Sequence, residues 1–193
     1  MMTIEPPSTF PISAADALSK SGMTRFVNRA RAAIGLTGEV EVLLTSDAEL
    51  KRLNRTFRGK NKPTDVLSFP TPPEIFGHHA GDLAISLDTA ARQASQFGHT
   101  LRDEVRILLL HGLLHLSGLD HETDQGEMAA REAELRATLK LPVSLIARAE
   151  AVQNKKNRHS ERSEESPHSA RSAAKPTQRR SKLPPVIRKG AAK

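Results

Sequence analysis

The sequence predicts an α/β chain of the α+β kind: a single domain in which a small mixed sheet packs against helices, one of them buried and carrying histidines. Three observations carry this expectation. The run Val105 to Leu119 is dominated by Leu and Ile, yet it is shorter than the roughly 20 residues of a membrane span and is interrupted by His111 and His115, which suits a helix buried against a sheet. Val40, Val42 and Leu44 alternate with Glu41 and Leu43, the period of a strand with one better-buried face. Between such segments, Ser, Thr and Gly fall at the spacings of helix caps.

Taken in order, a first helix is expected over Ala14 to Ile34, capped by Ser13 and with a break at Gly22. The strand around Val40 to Leu44 follows. Ser46 then caps a second helix, because Glu49 three residues on completes a capping-box pattern, and that helix should end near Gly59. Pro63, Thr64 and Asp65 turn into a short strand, Val66 to Phe69, closed by Pro70. Pro72, Pro73, Gly77, His78 and His79 read as a loop, and Asp82 to Leu87 as another strand. Ser86 or Asp88 starts a helix to about Phe97. Thr100 opens the histidine helix, with Asp103 and Glu104 placed where carboxylates favour the positive end of the dipole. Thr123 or Asp124 starts a last helix to about Leu139, ended by Pro142. Strand order is not legible.

The chain has 193 residues and a net charge of +7, but the charge is unevenly held. Residues 153–193 contain 12 Lys and Arg against 3 Glu, so residues 1–152 are slightly acidic. The domain is therefore assigned to 1–152, and 153–193 to a basic low-complexity tail too poor in apolar residues to fold alone. Two readings of that tail stay open: a polybasic arm with salt-sensitive affinity for nucleic acid, or an accidental extension of the reading frame, which the segment R-H-S-E-R-S-E-E-S-P favours. The absence of Cys excludes a disulfide scaffold and thiolate metal ligation. No export signal is visible in Met1 to Lys20, which with the missing disulfides points to the cytoplasm.

The stretch His111 to His121 reads H-G-L-L-H-L-S-G-L-D-H. His111 and His115, four apart, project from one helix face, offset by about 40°. Gly118 is suited to a left-handed turn, after which His121 can return a third imidazole. This spacing is similar to the metzincin zinc pattern, three protein ligands with a fourth position open. It departs from the zinc peptidases at one place. Where they carry a Glu as general base, this chain has Gly112.

Between Lys51 and Lys62 stand Lys51, Arg52, Arg55, Arg58, Lys60 and Lys62 with no acid among them. Such a run is either a solvated face or a docking strip for phosphates. Arg52, Arg55, Arg58, Lys60 and Lys62 are the RNA-binding candidates. With no Trp or Tyr in the chain, base stacking would fall to Phe57, Phe69, Phe76, histidines or arginine planes, so binding led by the RNA backbone is expected.

The stretch N-R-T-F-R-G-K-N-K-P-T-D-V-L-S-F-P (Asn54 to Pro70), with G-D-L-A-I-S (Gly81 to Ser86) and the His111 to His121 block, resembles the YbeY family of bacterial rRNA maturation factors over roughly Ala14 to Ala151. The resemblance implies a metal-dependent endoribonuclease acting on single-stranded RNA, with one Zn²⁺ per chain held by His111, His115 and His121. It implies a role in maturing the small-subunit rRNA 3′ end and in ribosome quality control, hence rRNA and the ribosome or its small subunit as partners, with neither membrane nor DNA involved. The family's functional arginine falls on Arg58. Arg58 and His115 are the catalytic candidates.

Three neutral imidazoles leave the charge of Zn²⁺ unneutralised, which can bring the pKa of a bound water to about 7. The planar fork of Arg58 can pair with two phosphoryl oxygens. Asp120 can orient an imidazole or merely cap the final helix, and Asp65 and Asp82 can support a metal ligand from behind or serve turns, with the turn roles favoured. His78, His79 and His99 receive no role. No general base is identified, and attack by water and by a 2′-hydroxyl both stay open. Two other function classes are compatible with the residues: a non-catalytic ribosome-assembly factor with a metal site, and a zinc hydrolase of another substrate class.

Overall fold

The computed structural model describes residues 1–7, 10, 18–72 and 77–142. Within them the elements run β1 (Met2–Ile4), α1 (Lys20–Ile34), β2 (Glu39–Thr45), α2 (Asp47–Arg58), β3 (Val66–Pro70), β4 (His79–Ser86), α3 (Leu87–Phe97), α4 (Leu101–Leu116) and α5 (Glu127–Leu139). The expected α+β architecture is present. One four-stranded sheet has the order β1-β2-β4-β3, with β1, β2 and β4 parallel and β3 antiparallel to β4.

The sheet is covered on both faces because its strands alternate into two apolar clusters. Val40, Val42 and Leu44 of β2, with Leu83 and Ile85 of β4, join the main core with α1, α4 and α5. Leu67 and Ala84, on the opposite side chains' face, pack under Leu50 of α2. Helix α4 lies deepest, with every residue from Ile107 to Leu114 buried. At roughly 1.5–3 kcal/mol for each buried Leu or Ile, it is the element the fold can least lose. Among the described residues no helix is long and apolar enough to cross a membrane.

Two parallel strands end alike. Ser46 follows β2 and caps α2 by accepting from the Glu49 amide, and Ser86 ends β4 and caps α3 by accepting from the Thr89 amide. The two helix starts are also tied together. The Asp88 carboxylate accepts from the Asp47 amide at 2.9 Å, while the Asp47 carboxylate accepts from the hydroxyls of Ser86 and Thr89 and from Arg92. Burial pushes the Asp47 carboxyl up, but the hydrogen bonds of Ser86, Thr89 and Arg92 outweigh it and hold the group below the usual carboxylate range.

Several expected boundaries need correction. Helix α1 starts at Lys20 and not at Ala14: Leu18 and Ser19 are not helical, and the Ser19 hydroxyl accepts from the Gly22 amide, so Gly22 lies in the first turn and breaks nothing. The expected cap Ser13 and residues 14–17 lie outside the described residues. Strand β4 begins at His79, not Asp82, and Leu87 already belongs to α3. The last helix starts at Glu127, after neither Thr123 nor Asp124, because Gly126 takes a left-handed φ of 103°. Asp124 caps it from outside, its carboxylate accepting from the amides of Gly126 and Met128. The strand β1 was not expected at all. Pro73, Phe76 and residues 143–193, the whole tail included, lie outside the described residues.

Candidate metal centre

Helix α4 delivers two imidazoles and a glycine turn delivers the third. His111 and His115 approach with their Nε2 atoms 3.2 Å apart. After α4 the Gly118 amide bonds the His115 carbonyl and the Leu119 amide bonds the Leu114 carbonyl, a Schellman closure in which Gly118 supplies a φ of 93°. The chain then reverses. Asp120 accepts from the Glu122 amide and from the Thr123 hydroxyl, and this turn brings the His121 ring to 5.0 Å from His111 and 5.2 Å from His115, centroid to centroid.

One ligand atom from each of the three rings lies within 4.8 Å of the others. Nitrogens about 2.0–2.1 Å from a tetrahedral ion sit about 3.3 Å apart, close to the 3.2 Å between His111 and His115. The donor set therefore fits a divalent ion of the imidazole-loving kind. His111 is buried, His115 half-buried and His121 exposed, so the cluster opens on the side away from the core. Burial lowers the His115 pKa, the neighbouring His111 and His121 lower it further, and Asp120 only partly opposes them. That favours the neutral imidazole, the form that binds a metal.

Gly112 lies between the ligands and under the sheet. A Cβ there would stand 2.8 Å from Leu83 Cδ2 and 3.3 Å from Val66 Cγ2, and its carbonyl accepts from the Ser68 hydroxyl at 3.3 Å. A side chain at the position where a zinc peptidase carries its glutamate would have to displace Leu83.

A buried carboxylate missing from the expected site residues stands behind the first ligand. Glu132 of α5 is 1% exposed and places Oε1 3.7 Å from His111 Nδ1. The signal was in the sequence. Met128, Glu132, Leu135 and Leu139 share one helical stripe, and an acid in an apolar stripe is a buried acid. Asp120, the expected orienting carboxylate, has its hydrogen bonds within its own turn. Its carboxyl is held low chiefly by the Glu122 amide, with smaller contributions from Thr123 and the charges of His115 and His121.

The basic candidates lie on α2 and the loop after it, and α2 covers the sheet face opposite α4. Arg58 is the last residue of α2, exposed, with no hydrogen bond or ion pair among the described residues. Arg55, Lys60 and Lys62 are exposed as well. Arg52 differs, its guanidinium being held in a two-point pair by Glu49 at 2.8 and 2.6 Å. Phe57 is 64% exposed and rests edge-on against Phe69 at 5.2 Å. The loop is pinned beneath by buried Asn54, whose amide donates to the Lys62 carbonyl at 2.8 Å. Asp65 serves its turn, accepting from the Val66 amide, while Asp82 pairs with His79 at the surface. His99 stands 3.5 Å from buried Glu104, and His78 is exposed.

The family model described as endoribonuclease YbeY matches residues 10–140. The endoribonuclease YbeY of Koribacter versatilis is 56% identical over 131 residues, 68% of this chain and 84% of its own length. That of Solibacter usitatus is 48% identical over 134 residues, covering 69% and 88%. A solution structure of a Thermotoga maritima protein is 26% identical, covers 89% of this chain and all of its own, and superposes with a TM-score of 0.45.

Proposed function

As the chain belongs to the endoribonuclease YbeY family, whose named relatives are hydrolases acting on RNA, we propose that it is a zinc-dependent endoribonuclease for single-stranded RNA that matures the small-subunit rRNA 3′ end. In this reading it serves ribosome quality control in the cytoplasm, with the ribosome or its small subunit as partner. The observation that carries it is the convergence of His111, His115 and His121 into one donor set open on one side. A divalent ion held by three neutral imidazoles would keep positive charge available to a scissile phosphate.

The remaining work falls to this chain's own side chains. Arg58, exposed and with no partner among the described residues, offers two parallel donors to phosphoryl oxygens of the RNA strand. Arg55, Lys60 and Lys62 follow the RNA backbone, and Arg52 contributes least because Glu49 occupies its fork. The exposed ring of Phe57 offers a face to an unpaired base. A peptidase role is opposed by Gly112, which supplies no general base and whose Cβ position is crowded by Leu83. A purely structural metal is opposed by the absence of a fourth protein ligand in the cluster among the described residues.

The test compares the zinc-quantified full chain with an Arg58→Glu variant of equal zinc content on a single-stranded fragment of the rRNA 3′ end. Cleavage by the first and its loss in the second are expected. Cleavage undiminished in the variant would remove Arg58 from the site, and none by either would turn the reading towards an assembly factor.

A further inference from the structure

We infer that Glu132 is a positioning residue of the metal centre: its buried carboxylate is placed to accept a hydrogen bond from the Nδ1–H of His111 and so fixes the tautomer whose Nε2 faces the other two imidazoles. The inference rests on reading His111, His115 and His121 as ligands.

Three observations carry it. Glu132 Oε1 lies 3.7 Å from His111 Nδ1, and both side chains are shut away from solvent, at 1% and 6% exposure. His111 Nδ1 is a buried polar atom with no hydrogen-bond partner, although its opposite nitrogen is 3.2 Å from His115 Nε2. A buried N–H left unmade is costly, and Glu132 is an acceptor at hand: closing from 3.7 Å to an ordinary N–H···O distance takes a movement of about 1 Å.

Charge gives the second half of the argument. Three neutral imidazoles add nothing to offset a divalent ion, and a carboxylate one ring away does so without occupying the open side. The other two ligands are placed differently. His115 is half-buried with the Leu119 carbonyl at its ring, and His121 is exposed to solvent. Only His111 sits where no water can serve its far nitrogen. Glu132 is aimed at that ring by the Met128, Leu135 and Leu139 stripe, which seats α5 in the core.

The experiment uses the full chain and two variants, Glu132→Met, which keeps length and removes both charge and acceptor, and Glu132→Gln, which keeps an acceptor. Zinc affinity is measured by competition with a chromophoric chelator, and the His111 tautomer by ¹⁵N NMR of the metal-free protein. Glu132→Met is expected to weaken zinc binding by about 10- to 100-fold and to move the His111 proton towards Nε2; Glu132→Gln should weaken binding less and leave the tautomer in place. Metal-free stability reports folding separately. Zinc binding and tautomer unchanged in a folded Glu132→Met variant would overturn the inference, and if that variant does not fold, unchanged affinity in Glu132→Gln does so. A parent chain that takes up no zinc would defeat the ligand assignment itself, a result that is distinct from equal binding by parent and variants.

Discussion

Adding a single methyl group at Gly112 tests the packing that separates this site from a peptidase. In Gly112→Ala the new Cβ meets Leu83 Cδ2 at 2.8 Å, Leu83 Cδ1 at 3.3 Å and Val66 Cγ2 at 3.3 Å. Leu83 is 1% exposed, so its end must shift within the packed core. Overpacking of this kind costs about 1–3 kcal/mol, and exchanging helical Gly for Ala returns up to about 1 kcal/mol. The expected net loss is about 1 kcal/mol. Gly112→Glu, which would restore the peptidase glutamate, adds a buried unpaired carboxylate to the same clash and should cost beyond about 4 kcal/mol. Urea unfolding with chelator present reads these changes free of metal linkage, as a fall in midpoint at constant slope. Trimming the obstacle should relieve the clash, so Gly112→Ala should cost less in a Leu83→Val background, with a coupling of about 0.5 kcal/mol or more. A Gly112→Ala variant as stable as the parent, or one whose cost ignores Leu83, would refute the account.

Three further outcomes are expected. Because the folded Asp47 carboxyl is held below its unfolded value, it adds stability that is present above about pH 4 and lost as pH falls through the folded value. Asp47→Asn should thus cost about 1–2 kcal/mol at pH 7 and flatten the acid limb of a stability-against-pH curve; an unchanged limb would remove Asp47 from the pairing. His115→Ala should abolish stoichiometric zinc while leaving the metal-free melting temperature within a few degrees, read by metal analysis and calorimetry, since the ring is only half-buried. Truncation after Ala151 should leave zinc content and unfolding midpoint unchanged, and a marked loss of stability would show that 153–193 belongs to the domain.

What the sequence made legible follows from range. Ser46, Ser86 and Thr100 each bond an amide three residues on, a local interaction that residue type and spacing encode. The histidine block is equally local, since one helix and one glycine turn complete it. By contrast, β1 is three residues long and exists only because Met2, Thr3 and Ile4 pair with Val42, Leu43 and Leu44 some forty positions away, and so short a segment has no period to read. The start of α5 was misjudged because Asp124 caps it through the Met128 amide while Gly126 bends the chain between them. Glu132 was missed for another reason. An acid among Glu127, Arg131 and Glu134 looks like part of a solvated face until its place in the Met128 and Leu135 stripe is counted.

The three imidazoles do not share one mechanical support. His111 and His115 are fixed to a helix that the core requires, whereas His121 hangs from an exposed turn between Gly118 and Gly126. Exchange of the ion should therefore begin with release of His121, leaving a two-point intermediate on an undisturbed helix. In hydrogen-exchange terms, amides of α4 would carry the same protection with and without metal, and those of residues 119–123 would gain it only when the third ring closes. The rate of metal exchange is then set by a turn of a few residues, and can be tuned there without touching the stability of the fold.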